Sequence, residues 1–248
     1  MLWMMGGASG LFWTVASGWA LLAVPHPERS EGPSSRLSRQ AEQVPRCARD
    51  EAALSPDAHP DTTDWYALAQ EIHAETNAVR RDPSAYAGHL ERLLPLFEGN
   101  VLQRPGRTYL RTDEGPAAVR EAIAWLKGRR PAAPLHWSGG LSAAAADHVR
   151  DQGPVGGLEH RGTDDSDPAS RANRYGQWIQ GVAENIAYGE NPAREVVIQL
   201  LVDDGVSDRG HRNNLLDPNW GAAGVACGPH QRYQQMCVMD YAVRYEER

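Results

Sequence analysis

The C-terminal two-thirds of the sequence predict a layered α+β domain: a small, mainly antiparallel sheet flanked by helices. Three observations carry this. Apolar residues recur at helical spacing between Trp65 and Leu126, a second helical set lies between Leu141 and Val202, and two β-type apolar runs, 220–227 and 236–245, close the chain. Helices that hide one stripe and strands that hide one face are satisfied by packing on each other in layers.

Order begins near Asp61, where Thr62, Thr63 and Asp64 offer N-caps to a run with Trp65, Leu68, Ile72 and Val79 on one side. That helix ends before Asp82 and Pro83. A second periodic run carries Tyr86, Leu90, Leu93 and Leu94, and a third carries Val119, Ile123, Trp125 and Leu126 before the break at 129–131; the stretch 104–115 between them reads as a loop. Past Leu135, Trp137 and a Gly pair, the run Leu141, Ala144, Ala145, His148 and Val149 marks a helix whose alanines permit close packing. A Gly-rich bend at 153–157 leads to His160, a short helical stretch spans 169–175, and 178–188 reads as extended. The run 193–202 is helical, with Val196, Val197, Leu200 and Leu201 on its apolar side.

The first 60 residues have a different character. Residues 1–24 contain no charge and are apolar enough to enter a bilayer, which predicts export; the missing basic start leaves a cleaved signal peptide, a retained anchor and a misassigned start codon all open. Residues 25–60 are rich in Pro, Ser, Arg, Glu and Ala with few apolar groups, the composition of a disordered linker. The chain is therefore divided into 1–24, 25–60 and a folded domain over 61–248, with membrane contact expected only through the first segment.

Acidic residues outnumber basic ones, 32 against 25, and no basic stripe is present to neutralise phosphates, so nucleic acid is not an expected partner. Three cysteines without a C-x-x-C pair exclude a disulfide-rich scaffold and a zinc knuckle. Cys227 and Cys237 lie in two apolar runs joined by Gly228, Pro229 and His230, so a hairpin can set them side by side, as a disulfide outside the cytoplasm or as two buried thiols. Cys47, in a polar stretch, reads as a free thiol.

Four titratable positions beside turn-forming residues stand out in the second half of the domain: His160, Glu184, the Asp203–Asp204 pair and His211. Two imidazoles with carboxylates can hold a divalent metal or share protons as general acid and base. On a strand, alternation sends Glu184 to one face and Asn185 to the other. The Asp pair falls at the C-terminal turn of a helix, where negative charge is unfavourable, so a cation, Arg209 or Arg212 is expected to compensate it.

The words around these residues resemble a known family. Ala183-Glu184-Asn185-Ile186-Ala187 and Gly210-His211-Arg212-Asn213-Asn214-Leu215-Leu216 are similar, in order and spacing, to the GEN(I/L) strand and the GHR-x-N(I/L)L loop of bacterial CAP domains, the cysteine-rich secretory, antigen 5 and pathogenesis-related 1 group. Leu135-His136-Trp137 before the Ala-rich helix, and the run from Trp220 to Ala226, fit the same pattern. The resemblance implies a three-layer α-β-α sandwich with a cleft tetrad of His160, Glu184, Asp203 and His211. The third member of the family set is usually a Glu in the helix; Leu200 holds that place here, and Asp203, with Asp204 adjacent, is the acidic group on offer.

The resemblance also implies an exported, secreted or envelope-associated binding module. Its metal, zinc before others, is expected on His160 and His211, with Glu184 and Asp203 or Asp204 able to join, and without an organic cofactor. A lipid, peptide or glycan is the expected kind of ligand. The competing reading is a metal-assisted, peptidase-like hydrolase using the same tetrad. Against catalysis stands the absence of H-E-x-x-H and G-x-S-x-G words; Ser207 near His211 and Cys227 near His230 are the conceivable nucleophile pairs.

Overall fold

The computed structural model describes residues 63–248; the apolar N-terminal segment, the linker and Cys47 lie outside the described residues. Helix α1, Trp65–Arg81, starts at Asp64, whose side chain accepts from the Ala67 N–H, and buries Ala69, Ile72, Thr76, Val79 and Arg80. Asp82 ends α1 and caps α2, Pro83–Glu91, where Pro83 occupies a first-turn position that needs no N–H partner. After a short 3-10 turn come three two-residue strands, β1 (Phe97–Glu98), β2 (Val101–Leu102) and β3 (Leu110–Arg111), paired antiparallel. The stretch 104–115 is thus not only loop: β3 lies in it. Strands this short carry no periodicity for a sequence reading to find.

Helix α3 (Pro116–Lys127) follows, then β4 (His136–Trp137) and α4 (Gly139–Gln152), capped by the Ser138 hydroxyl on the Leu141 N–H. Helix α5, Pro168–Tyr175, opens with a reciprocal capping box between Asp167 and Ser170 and runs directly into β5, Gly176–Tyr188. Helix α6 is Ala193–Val202. The stretch expected as a loop around His211 is instead a short helix, α7, Gly210–Leu216, and β6 (Ala222–His230) and β7 (Gln234–Glu247) end the fold.

The main sheet has the order β4-β6-β7-β5; β4 runs parallel to β6, and the other pairs are antiparallel. The last two strands therefore form its middle, which is why their apolar runs are nearly continuous. Alternate residues of β7 enter different cores. Cys237, Met239 and Tyr241 pack with α1, α2, α3, α6 and α7, whereas Met236, Val238 and Ala242 meet Leu141, Ala144, Ala145 and Val149 of α4 and Ala172 of α5. The result is a three-layer α-β-α sandwich. Close approach of α4 to the sheet requires Gly224, where an added Cβ would stand 2.1 Å from the Ser142 nitrogen.

Cys227 and Cys237 are directly opposed across β6 and β7, with Cα atoms 4.1 Å apart, and are joined as a disulfide. This selects the bridge over two buried thiols and removes Cys227 as a nucleophile. His230 is also spoken for: its Nε2 lies 2.9 Å from the Gly157 carbonyl, and its Nδ1 accepts from the Arg232 and Tyr233 N–H groups.

Candidate functional site: two buried histidine–carboxylate pairs

Glu184 projects from β5 toward the α4–α5 layer and is almost fully buried. One oxygen, Oε1, lies 2.7 Å from His160 Nδ1, and the other, Oε2, accepts from Arg171 at 2.6 Å. Arg171, on α5, also donates to the carbonyls of His160 and Ser166, each at 3.1 Å, so a single guanidinium fixes both the Glu184 carboxylate and the backbone that carries His160. Burial pushes the Glu184 carboxyl up; the His160 hydrogen bond and the Arg171 charge outweigh it and hold the group down at about 2. Glu184 is therefore a carboxylate at any physiological pH.

Across the sheet, Asp240 of β7 is the register partner of Glu184 and is wholly buried. Neither of its carboxyl oxygens has a hydrogen-bond donor. Burial and the charge of Glu184 push it well above the usual carboxylate range. Of these two neighbouring carboxyl groups only Glu184 is paired with the Arg171 guanidinium, so Glu184 carries the charge and Asp240 the proton.

The second pair lies at the join of α6 and α7. Asp203 ends α6 in the left-handed region, φ 54°, which turns its side chain onto the start of α7. Oδ1 lies 2.6 Å from His211 Nδ1, and Oδ2 accepts from the backbone N–H of His211 at 3.0 Å and of Arg212 at 3.3 Å. A carboxylate at a helix N-terminus meets unpaired N–H groups, so the same Asp that is disfavoured at the end of α6 is favoured at the beginning of α7. Asp204 turns away and accepts from the N–H groups of Asp113 and Glu114, at 2.6 and 2.9 Å, tying this corner to the segment that follows β3.

The compensation expected from Arg209 and Arg212 takes another form. Arg209 pairs with Glu114 and Glu121, and Arg212 pairs with Glu121. Their other donors go to backbone carbonyls at the end of α6 and in the turn after it: Arg209 to Asp203 and Val206, Arg212 to Leu201 and Val202. The Asp carboxylates are satisfied by N–H groups and His211, and the arginines stabilise the carbonyl end of α6. Asn185, on the opposite face of β5 from Glu184, donates to the His211 carbonyl at 3.0 Å and accepts from Asn214 at 2.9 Å, so adjacent residues of one strand touch both pairs.

His160, Glu184, Asp203 and His211 are thus arranged as two dyads, with Asp204 outside both. Among the described residues, no hydrogen bond or ion pair joins one dyad to the other, and no group of three or more His, Cys, Asp and Glu side chains is placed to hold a metal ion. Both imidazoles share one feature. Nδ1 faces a carboxylate, and Nε2 is buried without a hydrogen-bond partner. A carboxylate on Nδ1 selects the tautomer whose Nε2 lone pair is free, which is the state of a metal-ligating or proton-accepting imidazole. The oxygens of Glu184 and Asp203 are already engaged, so the two Nε2 atoms are the open positions of the dyads.

The sequence reading missed Arg171 and Asp240. Nothing in the short, polar sequence of α5 distinguished Arg171. A signal for Asp240 did exist: it is an acid set among Met239, Val238, Tyr241 and Ala242 in a central strand, where charge is rarely left unpaired.

A three-layer α+β sandwich with histidine–carboxylate pairs where strand β5 meets the flanking helices defines the class of domain. The chain belongs to the cysteine-rich secretory protein (CAP) family, whose model matches residues 73–241. Among solved structures, it is similar to an extracellular protein containing an SCP domain from Bacillus anthracis, with 21% identity over 45% of this chain and a TM-score of 0.34; only 34% of that protein is covered. A second similarity is to an outer surface protein of Borrelia burgdorferi, with 17% identity over 46% of this chain and 78% of that one and a TM-score of 0.38. No curated protein matches the sequence.

Proposed function

We propose that this CAP domain is an exported, secreted or envelope-associated binding module, in which His160 and His211 offer imidazole nitrogen to a divalent metal, zinc before others, and the cleft receives a lipid, peptide or glycan. The observation that carries the reading is the pair of buried Nε2 atoms without partners, each on a ring whose Nδ1 faces a carboxylate. Bound zinc would supply Lewis acidity and a ligand-exchange position. Glu184 and Asp203 orient the rings through their Nδ1 atoms. Export is supported by the family, by the disulfide, and by the uncharged apolar start of the sequence; no helix among the described residues is long and apolar enough to cross a membrane.

The hydrolase reading is weaker. Asp203 and His211 have the geometry of an orienting acid and a base, but Ser207 is exposed and makes no hydrogen bond to His211, and Cys227 is oxidised.

Calorimetric titration with zinc at neutral pH tests the proposal. Wild type binds, His160→Ala and His211→Ala each lose tight binding, and affinity falls as acid competes for the imidazole nitrogens. Melting changes little when metal is removed, because a core of this size folds without it. Absence of zinc binding by wild type, or binding unchanged when both histidines are replaced, would reduce the dyads to structural pairs.

A further inference from the structure

Arg80, at the end of α1, is among the largest side chains with no exposed surface. Nε donates to the Ala133 carbonyl at 2.8 Å, and Nη1 donates to the carbonyls of Leu215 and Asp217 at 2.9 and 3.0 Å. All three acceptors are neutral. No carboxylate oxygen among the described residues lies within ion-pair distance, and Nη2 has no partner. Asp217 has one carboxylate oxygen accepting from both the N–H and the side-chain amide of Asn219 and acts on Arg80 through space. A guanidinium cannot shed its proton at any accessible pH, and a buried charge without a counter-charge is strongly disfavoured.

A second unpaired donor belongs to the turn that Arg80 holds. The Asp217 carbonyl that receives Arg80 also accepts from the Trp220 N–H at 3.4 Å, so one carbonyl joins the guanidinium to the backbone of Trp220. The indole stacks on Tyr241, with centroids 6.3 Å apart and planes at 27°, and its Nε1 is buried without an acceptor. Tyr241 is close enough to Arg80 that the positive charge opposes the upward push of burial on its hydroxyl. That hydroxyl makes only long contacts, 3.4 Å from the Asn185 amide and 3.7 Å from the Met239 sulfur.

We propose that Arg80 Nη2 and Trp220 Nε1, with the Tyr241 hydroxyl, bind a small inorganic monoanion of halide size. The chemistry selects an anion over water. A water molecule accepting from these donors would carry two hydrogens of its own into a neighbourhood short of free acceptors, whereas a halide accepts from all of them and supplies the missing charge. The guanidinium holds the last carbonyls of α7 and the turn after it, so the anion would steady the helix that carries His211. The proposal is independent of whether the histidines bind metal.

Crystals of the protein grown with bromide locate the ion by anomalous scattering. A peak within hydrogen-bond distance of Arg80 Nη2 and Trp220 Nε1 is the expected result, and a map with no anomalous signal there overturns the proposal. In solution, the melting temperature should rise saturably with sodium chloride and not with sodium gluconate at equal ionic strength. Trp220→Phe keeps the stacked ring and removes only the N–H, so the chloride midpoint should move at least tenfold to higher concentration. Equal responses to the two salts, or a midpoint unmoved in Trp220→Phe, would refute it, and the conservative variant keeps the test valid should Arg80→Met fail to fold.

Discussion

Glu184→Gln removes the acceptor on which His160 and Arg171 converge, and its cost can be worked from the surroundings. The Glu184 carboxyl falls from 4.5 to about 2 on folding. At about 1.4 kcal/mol per tenfold change, that is about 3 kcal/mol of stability. The sign follows from the direction: a depressed carboxyl contributes fully above its unfolded value and loses that contribution as pH falls toward 2. Replacing it also leaves Arg171 buried without a carboxylate, a change that costs roughly 3–5 kcal/mol where nothing else moves.

Here something else can move, because Asp240 lies opposite on β7 and is pushed up first by its burial and then by the charge of Glu184, and the second of these goes when Glu184 is neutralised. In the Glu184→Gln protein, Asp240 should ionise and take over as partner of Arg171, so the single substitution costs less than that range. Asp240→Asn alone removes a group whose folded-state pKa is raised. Such a group binds a proton in the folded state that the unfolded chain has released, so wild type loses stability as pH rises from the ordinary Asp value toward the folded one, and the Asn variant does not. At pH 7, Asp240→Asn should therefore be neutral or stabilising, whereas the same substitution in the Glu184→Gln background should be strongly destabilising. Urea melts of the four proteins at pH 7 give the coupling energy directly. If the cost of Asp240→Asn is the same in both backgrounds within about 0.5 kcal/mol, the two carboxyls do not share a proton and the reasoning fails.

Breaking the bridge with Cys227→Ser opens a loop of sequence separation 10 and should lower stability by about 2.7 kcal/mol on the chain-entropy estimate; equal melting with and without reductant in wild type would contradict this. Asp204→Ala strips the acceptor from the Asp113 and Glu114 N–H groups and should cost about 1–3 kcal/mol, with faster amide exchange at both positions; unchanged protection there would show that the carboxylate does not hold the segment. Truncation before Gly221 deletes both middle strands of the sheet and should abolish cooperative unfolding; a sharp melt from the shortened chain would refute the assignment of β6 and β7 to the core.

How much of this was legible in the sequence depends on how far apart the partners lie. Helices α1, α3, α4 and α6 were readable because each buries a stripe, and periodicity is local information. Strands β6 and β7 were readable because both of their faces are covered. Strands β1 to β4, of two residues each, offer no period, and α7 is preceded by Arg209, which has φ 54° and makes no side-chain cap, so its polar start read as loop. The same divide runs through the site. His160, Glu184, Asp203 and His211 each stood beside a recognisable turn or motif, but their pairing came from chain crossings with no local trace.

Asp203 shows why charge arguments confined to one element miscarry. At the end of α6 its carboxylate faces the negative end of a helix and calls for a cation. The left-handed turn that follows delivers it to the N–H groups of α7 and to His211, so the compensation comes from the next helix and leaves Arg209 and Arg212 free to pair with Glu114 and Glu121. Because that carboxylate is engaged with Nδ1 and two N–H groups, it can set the His211 tautomer without competing for whatever Nε2 binds. Glu184 is held by Arg171 in the same way. Two orienting carboxylates, each anchored from its far side, leave the chemistry of the site to the imidazole nitrogens.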